Sequence, residues 1–246
     1  MLKKIVSLFL LLFTFSYGET LIVAAAANTQ FAIKEIIKSF EEKYPEVNIK
    51  TVISSSGKLT SQIIKGAPYD IFISADSKYP DFLYKKGFTY GKPKVYAYGV
   101  LVLWSVKHPD IKGVKDLLKS YIKKIALPNP RNAPYGRQAL NVLMYYKIYK
   151  KIKNRIVYGE SVSQASQYIY KGFVDAGFTA KSIVMAPEVK NKGKWIEIDK
   201  KAYEPIKQEA VLLKNSKGKK YPEIFFNYLF SKEVKRILNK YGYITK

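Results

Sequence analysis

The chain has 246 residues and no cysteine, and its 43 lysines and arginines against 19 aspartates and glutamates give a formal charge of +24. That length holds one large domain or two modest ones, with ample core in either case. The lack of cysteine excludes a disulfide scaffold, a thiolate metal site, a cysteine nucleophile and a lipid anchor on an N-terminal cysteine.

The first eighteen residues, "MLKKIVSLFLLLFTFSYG", place Lys3 and Lys4 before an apolar run over 5–15, then small residues at Ser16 and Gly18. This is the pattern of a secretory signal peptide over 1–18, cleaved after Gly18 and too short and wrongly flanked for a membrane anchor. No later stretch approaches the length needed to span a bilayer. The mature protein is therefore expected to be free outside the cytoplasmic membrane, in a bacterial periplasm. Its charge falls to about +22 when Lys3 and Lys4 leave. The cations are almost all lysine and are spread along the whole chain, which reads as a compositional bias. With secretion, this argues against a nucleic-acid role.

Beyond the leader, strand and helix patterns alternate. "LIVAA" (21–25) reads as a buried strand. From Asn28, apolar Ile33, Ile36, Ile37, Phe40 and Tyr44 recur at helical spacing until Pro45. Val47, Ile49, Thr51 and Ile53 alternate as a strand. A short helix after Ser56 stops at Gly66, and "DIFIS" (70–74) is the next strand. "YAYGVLVLW" (96–104) reads as one long strand, followed by a helix around Leu117, the strand "KIALP", a long helix from about Gly136 and the strand "RIVYG". A helix over 163–171, the strands "VDAGFTA" and "QEAVLL", and two C-terminal helices with start signals at Pro222 and Ser231 complete the chain. Strands separated by helices predict parallel sheets with right-handed crossovers. No Gly-, Ser- or Pro-rich linker divides the chain, so two α/β lobes joined by crossing strands are expected.

Four helix starts share similar chemistry. They follow "AAAANTQ", with Asn28 as the expected cap; "SSSGK", with Ser55 or Ser56 capping; "PNPRNAPYGRQ", with Pro134, Tyr135 and Gly136 in the first turn; and "YGESVSQ", where Glu160, Ser161 and Val162 enter the helix. Each start leaves unpaired N–H groups and about half a positive charge, and in parallel α/β sheets such starts lie at the carboxyl ends of strands. Two from each lobe, facing across a cleft, make a cage of donors for a small dianion. Taken alone, each Asn or Ser is more commonly an ordinary cap.

"VAAAANTQFAIKEI", "SSSGKLTSQIIKGAPYDIFISAD", "PNPRNAPYGRQAL" and "FNYLFSKEVKRILNKYGYI" resemble, in order and across the mature chain, the periplasmic molybdate-binding proteins of ABC-type molybdate importers. The resemblance implies a two-lobed, class II periplasmic-binding fold, each lobe a mostly parallel sheet flanked by helices, with an oxyanion in the hinge cleft. It places the ligand positions on Asn28, Ser56, Tyr135 and, through its backbone N–H, Val162. A fifth position, tyrosine in some members, is Ala180 here, and Tyr135 is a candidate to supply the missing hydroxyl. It further implies molybdate or tungstate as ligand, no cofactor, no catalysis, and a membrane permease with its ATPase as partners of a monomeric receptor. The expected lobes are 19–98 with 208–246, and 99–207, with chain crossings near 98–100 and 208.

Other residues invite other chemistry. Asp70 and Asp76 flank a strand without an adjacent base, nucleophile or metal ligand. His108 sits in the turn "SVKHPD", and Arg137 stands one residue into its helix start, suited to the surface or to a supporting position near the anion. Tyr145 and Tyr146 are paired as in some ferric-iron proteins. Adjacent helical residues, however, point about a hundred degrees apart, so core packing is the simpler reading. A receptor for sulfate or another oxyanion, and a secreted enzyme acting on anionic substrates, are the competing functions. The enzyme finds no nucleophile–base spacing in the sequence.

Overall fold

Ten strands fall into two sheets in a computed structural model that describes residues 19–245. The expected signal peptide and its cleavage point lie outside the described residues. The strands are β1 (Glu19–Ala26), β2 (Val47–Ser54), β3 (Ile71–Ser74), β4 (Lys94–Gly99), β5 (Leu101–Ser105), β6 (Ile125–Pro128), β7 (Ile156–Gly159), β8 (Ala176–Ala180), β9 (Lys194–Glu197) and β10 (Ile206–Leu212). One sheet runs β2-β1-β3-β10-β4 and the other β7-β6-β8-β5-β9. β1 lies parallel to both β2 and β3, and β6 to both β7 and β8. In each sheet the fourth strand alone is antiparallel to its neighbours, β10 in the first and β5 in the second. The two-lobed α/β fold expected from the sequence is the fold observed.

The helices are α1 (Ala32–Lys43), α2 (Ser56–Ile64), α3 (Lys78–Lys85), α4 (Pro134–Tyr145), α5 (Tyr149–Ile152), α6 (Val162–Tyr170), α7 (Lys181–Val184), α8 (Tyr221–Tyr228) and α9 (Lys232–Lys240). They cover both faces of each sheet, which is why the inner strands are apolar on both sides. Along β1, Leu21, Val23 and Ala25 meet α1, α8 and α9, where Phe40 packs edge-on to Phe225 at 5.0 Å. Ala24 points the other way, onto Leu59, Phe72 and Leu83. β5 alternates in the same manner, with Leu101 and Leu103 on one core and Val102 and Trp104 on the other.

Polar clasps fix the first lobe. The Asp70 carboxylate is fully buried and accepts hydrogen bonds from Ile22 N (2.8 Å), Asn215 Nδ2 (2.9 Å) and Lys219 Nζ (2.6 Å). Glu233 at the start of α9 accepts from Lys43 and Ser39 on α1. The Lys43 ammonium is the main cause of holding the Glu233 carboxyl down at about 2, against an ordinary 4.5. A depressed carboxyl stabilises the fold above its unfolded value and loses that contribution as pH falls through the folded one. Wild-type stability is therefore expected to drop between pH 4.5 and 2, and Glu233→Gln to drop less over the same window. Urea midpoints across that window check this; parallel curves would sink it.

Three sequence expectations are corrected. "YAYGVLVLW" is two strands in different sheets, broken at Val100. The long helix expected from Gly136 ends at Tyr145, because Lys147 takes a left-handed conformation (φ 57°). Its N–H bonds Met144 O while Ile148 N–H bonds Leu143 O, a Schellman-type close without glycine. Tyr145 is consequently 54% exposed rather than core, its ring edge-on to Tyr146. Finally, α1 begins at Ala32 after Phe31, and Asn28 lies in a separate 3-10 turn, Ala27–Thr29, instead of capping α1.

Candidate functional site

The turn Ala27–Thr29 follows β1, α2 follows β2, the 129–133 loop and α4 follow β6, and α6 follows β7. Carboxyl ends of parallel strands therefore carry the starts of α2, α4 and α6 and the Asn28 turn that precedes α1. Hydrogen bonds between the lobes draw them together. Ser163 Oγ on α6 donates to Ala27 O (2.9 Å) and Gln30 Oε1 (2.8 Å). Gly57 N on α2 donates to Asn132 O (3.0 Å), and Lys58 pairs with Glu160 at 2.9 Å. Asn28, Ser56, Tyr135 and Val162 are each no more than 4% exposed. Tyr135 and Val162 share one buried cluster with Ala26, Ala27 and Ala75 at the ends of β1 and β3.

The hydrogen bonding at this junction is incomplete. Ser55, not Ser56, holds the cap position of α2, and its side chain makes no capping bond. Ser56 is the first helical residue, and its Oγ accepts from Ala75 N at 3.1 Å. Capping by the Ser56 hydroxyl is thus corrected: the oxygen faces the end of β3, and its proton is free to point elsewhere. Ser55 Oγ, Tyr135 Oη and Asn28 Oδ1 are buried without a hydrogen-bond partner among the described residues. Such groups are rare, because a buried unpaired polar atom costs about 1–3 kcal/mol. At the α6 start, Ser161 Oγ accepts from Gln164 N (3.2 Å), so this cap is formed as expected.

Burial pushes the Tyr135 hydroxyl well above the ordinary tyrosine range; Tyr243, Tyr96 and Tyr203 add to the effect and the Asn28 side chain opposes it. Burial does the same to Tyr96 and Tyr243. These hydroxyls stay protonated at neutral pH; that of Tyr243 donates to Asn28 O, while those of Tyr96 and Tyr135 have no partner among the described residues. Gly99 leaves room for the Tyr135 ring, since a Cβ there would strike the hydroxyl. Ala180, fully buried at the end of β8, brings no polar side chain.

Sequence reasoning missed Gln208, Tyr243 and Ser182, all of which bond Asn28. Asn28 Nδ2 donates to Gln208 Oε1 and Tyr243 Oη, each at 2.8 Å, while Asn28 O accepts from Ser182 Oγ (2.8 Å) and Tyr243 Oη (3.0 Å). One signal was available: Gln208 and Glu209 are adjacent polar residues that lead directly into the apolar run over 210–213.

Arg137 bridges the lobes by pairing with Asp76, with its Nη1 3.3 Å from the Tyr79 hydroxyl. Tyr79 in turn donates to Arg131 O at 3.1 Å. Burial raises the Asp76 carboxyl above its ordinary value, and Arg137 opposes the rise. For a half-buried pair worth about 1 kcal/mol, Arg137→Ala is expected to shift the closed-to-open ratio of the lobes about fivefold towards open. A larger radius of gyration in solution scattering would register the shift, and an unchanged profile would deny the pair a latching role. Asp70 serves the clasp described above, and His108 stacks on Tyr121 at a ring distance of 4.8 Å. No group of three His, Asp or Glu side chains suited to a metal occurs among the described residues, and none of their helices is long and apolar enough to cross a membrane.

The chain is 34% identical over 230 residues to the molybdate-binding protein ModA of Rhodobacter capsulatus, covering 93% of this chain and 89% of that protein. It is 31% identical to the putative ABC transporter substrate-binding lipoprotein YvgL of Bacillus subtilis, covering 92% and 87%. The solved periplasmic molybdate-binding protein of Azotobacter vinelandii superimposes with a TM-score of 0.87 at 32% identity, over 92% of this chain and 99% of that one. With the family pattern matched over residues 21–244, the chain belongs to the bacterial extracellular solute-binding proteins.

Proposed function

We propose that this protein captures molybdate, and tungstate of nearly the same size, outside the cytoplasmic membrane and delivers it to an ABC importer. It does so by binding, without catalysis. The observation that carries the reading is the set of buried hydroxyls at the starts of α2 and α4. Those of Ser55 and Tyr135 have no hydrogen-bond partner among the described residues, and that of Ser56 accepts from Ala75 N but donates to none of them. A tetrahedral dianion offers only acceptors and suits such a set. Neutral donors hold it through charge-assisted hydrogen bonds, without a buried counter-charge that must itself lose its water.

In this reading Ser56, Tyr135, the Val162 N–H and the backbone of the Asn28 turn hold the oxyanion between lobes of residues 19–98 with 208–246 and 99–207, since both Asn28 amide hydrogens are taken by Gln208 and Tyr243. The lobes turn about crossings near 98–100 and 208, and ligand favours their closure because only the closed form makes contacts from both sides. The receptor works as a monomer, reaches the periplasm through a cleaved leader, and passes its ligand to a permease driven by an ATPase. Protonated phosphate needs an acceptor, and a cage of donors penalises it by roughly 1–3 kcal/mol. Asn28 Oδ1 is the nearby group able to relieve that penalty. Sulfate has shorter bonds, so a rigid cage sized for the larger anion stretches its contacts on one side.

Calorimetric titration with molybdate, tungstate, sulfate and phosphate in parallel tests the proposal. One-to-one binding of molybdate and tungstate, tighter than either competitor, is expected. Tighter sulfate binding would reassign the ligand, and no heat from any of the four would end the oxyanion reading.

A further inference from the structure

Asn28 is held from both strands that cross between the lobes. Gln208 lies on β10, just after the returning crossing, and its Nε2 donates to Ile206 O at 3.1 Å. A carbonyl can only accept, so this bond fixes the Gln208 amide with Oε1 towards Asn28. The Asn28 amide must then offer Nδ2 to Gln208, and it does so at 2.8 Å. Its second amide hydrogen goes to the Tyr243 hydroxyl, which in turn donates to Asn28 O. Tyr243 precedes Ile244, whose backbone exchanges two hydrogen bonds with Tyr98 (2.8 and 2.9 Å), next to the outgoing crossing at Gly99–Val100. The second lobe docks on the same group: Ser182 donates to Asn28 O, and the Tyr135 hydroxyl lies in the notch left by Gly99, beside Gln208 Nε2.

We infer that Gln208 and Tyr243 are positioning residues that couple occupancy of the oxyanion site to the hinge, with Asn28 as the shared pin. This rests on the oxyanion reading proposed above. All three side chains are buried and their bonds are mutually constrained, so Asn28 has one amide orientation while both partners are present. An anion resting against the Asn28 turn therefore bears, through Gln208, on the strand that returns to the first lobe. Through Tyr243 it bears on the segment paired with the strand that leaves it. Removing either partner leaves the amide free to turn over and separates the site from one crossing. The anion would still be met by the helix starts, so capture should continue, but the closed form should not be held. Changes within one interface generally appear in the dissociation rate rather than in the association rate.

The test compares wild type with Gln208→Met and Tyr243→Phe, and uses Tyr96→Phe as the control that removes a buried hydroxyl without a hydrogen-bond partner among the described residues. Stopped-flow fluorescence with molybdate gives the rate constants, and solution scattering at saturating molybdate gives the hinge state. In both coupling variants, dissociation is expected to quicken about tenfold or more, with association changed less than about twofold. Both should also keep a larger radius of gyration at saturation, while Tyr96→Phe matches wild type in each measurement. Two variants of different size guard against one that fails to fold. Saturated variants as compact as wild type would overturn the inference even if their affinity fell, since weaker contacts without hinge opening mark a local packing role. Loss confined to the association rate would overturn it as well. Wild-type protein that binds no molybdate would defeat the oxyanion reading and this inference together, whereas normal wild-type binding with unaltered variants would defeat this inference alone.

Discussion

Asp70→Ala is expected to lose about 2–4 kcal/mol of folding stability, because a backbone N–H and an amide lose a fully buried charged acceptor. Lys219, 35% exposed, can by contrast return to water. The Asp70 carboxylate ties Ile22 of β1 to Asn215 and Lys219 beyond β10, so its removal leaves the partly buried Ile22 N–H without its acceptor. Asp70→Asn keeps one acceptor oxygen and should cost less, about 1–3 kcal/mol. Urea denaturation of both variants separates the cases. Equal and small losses would show that water replaces the carboxylate, and the clasp would then have no structural weight.

Ser56→Ala is expected to weaken molybdate binding by roughly 1.5–3 kcal/mol, or about ten- to a hundredfold, because a hydroxyl bonded to a buried charge is lost. The same substitution removes the acceptor of the Ala75 N–H, so the ligand-free protein should also lose about 1 kcal/mol. The two effects are separable: denaturation without ligand reads the second, and calorimetry on the folded variant reads the first. Unchanged affinity with the fold intact would place the anion elsewhere. Ser55→Ala is an informative companion, since the Ser55 hydroxyl is buried without a partner among the described residues and should cost little stability.

Much of this arrangement was legible because local signals agreed with tertiary demands. The alternation of buried Val47 and Ile49 marked β2, although Ile53 near its end is exposed. Gly66 with its positive φ closed the turn after α2, and Ser231 caps α9 through Val234 N. The starts of α2, α4 and α6 were readable because strand-to-helix junctions carry their own residue signals. The break at Lys147 was not readable, since a lysine in the left-handed region gives no compositional warning. Nor was the division at Val100: an apolar run looks the same whether its two halves lie in one sheet or two. The partners of Asn28 were hidden for another reason. Gln208 and Tyr243 are far away in sequence, and no periodicity reports a contact made by chain topology.

The first sheet places β10 between β3 and β4, although β10 is the last strand to be made. Until it arrives, both neighbours present open hydrogen-bonding edges with apolar flanks, the kind of edge that recruits other chains. The second sheet has no such debt to the C-terminus, since β5 to β9 are contiguous and can pair as soon as β9 emerges. Refolding should thus be ordered, with the second lobe forming from nearer contacts and the first waiting on the most distant ones. Pulse-labelled hydrogen exchange would register this as earlier protection of Leu103 and Phe178 than of Ile73 and Ala210. A chain ending before Ile206 should retain the early half and leave β3 and β4 exposed to aggregation.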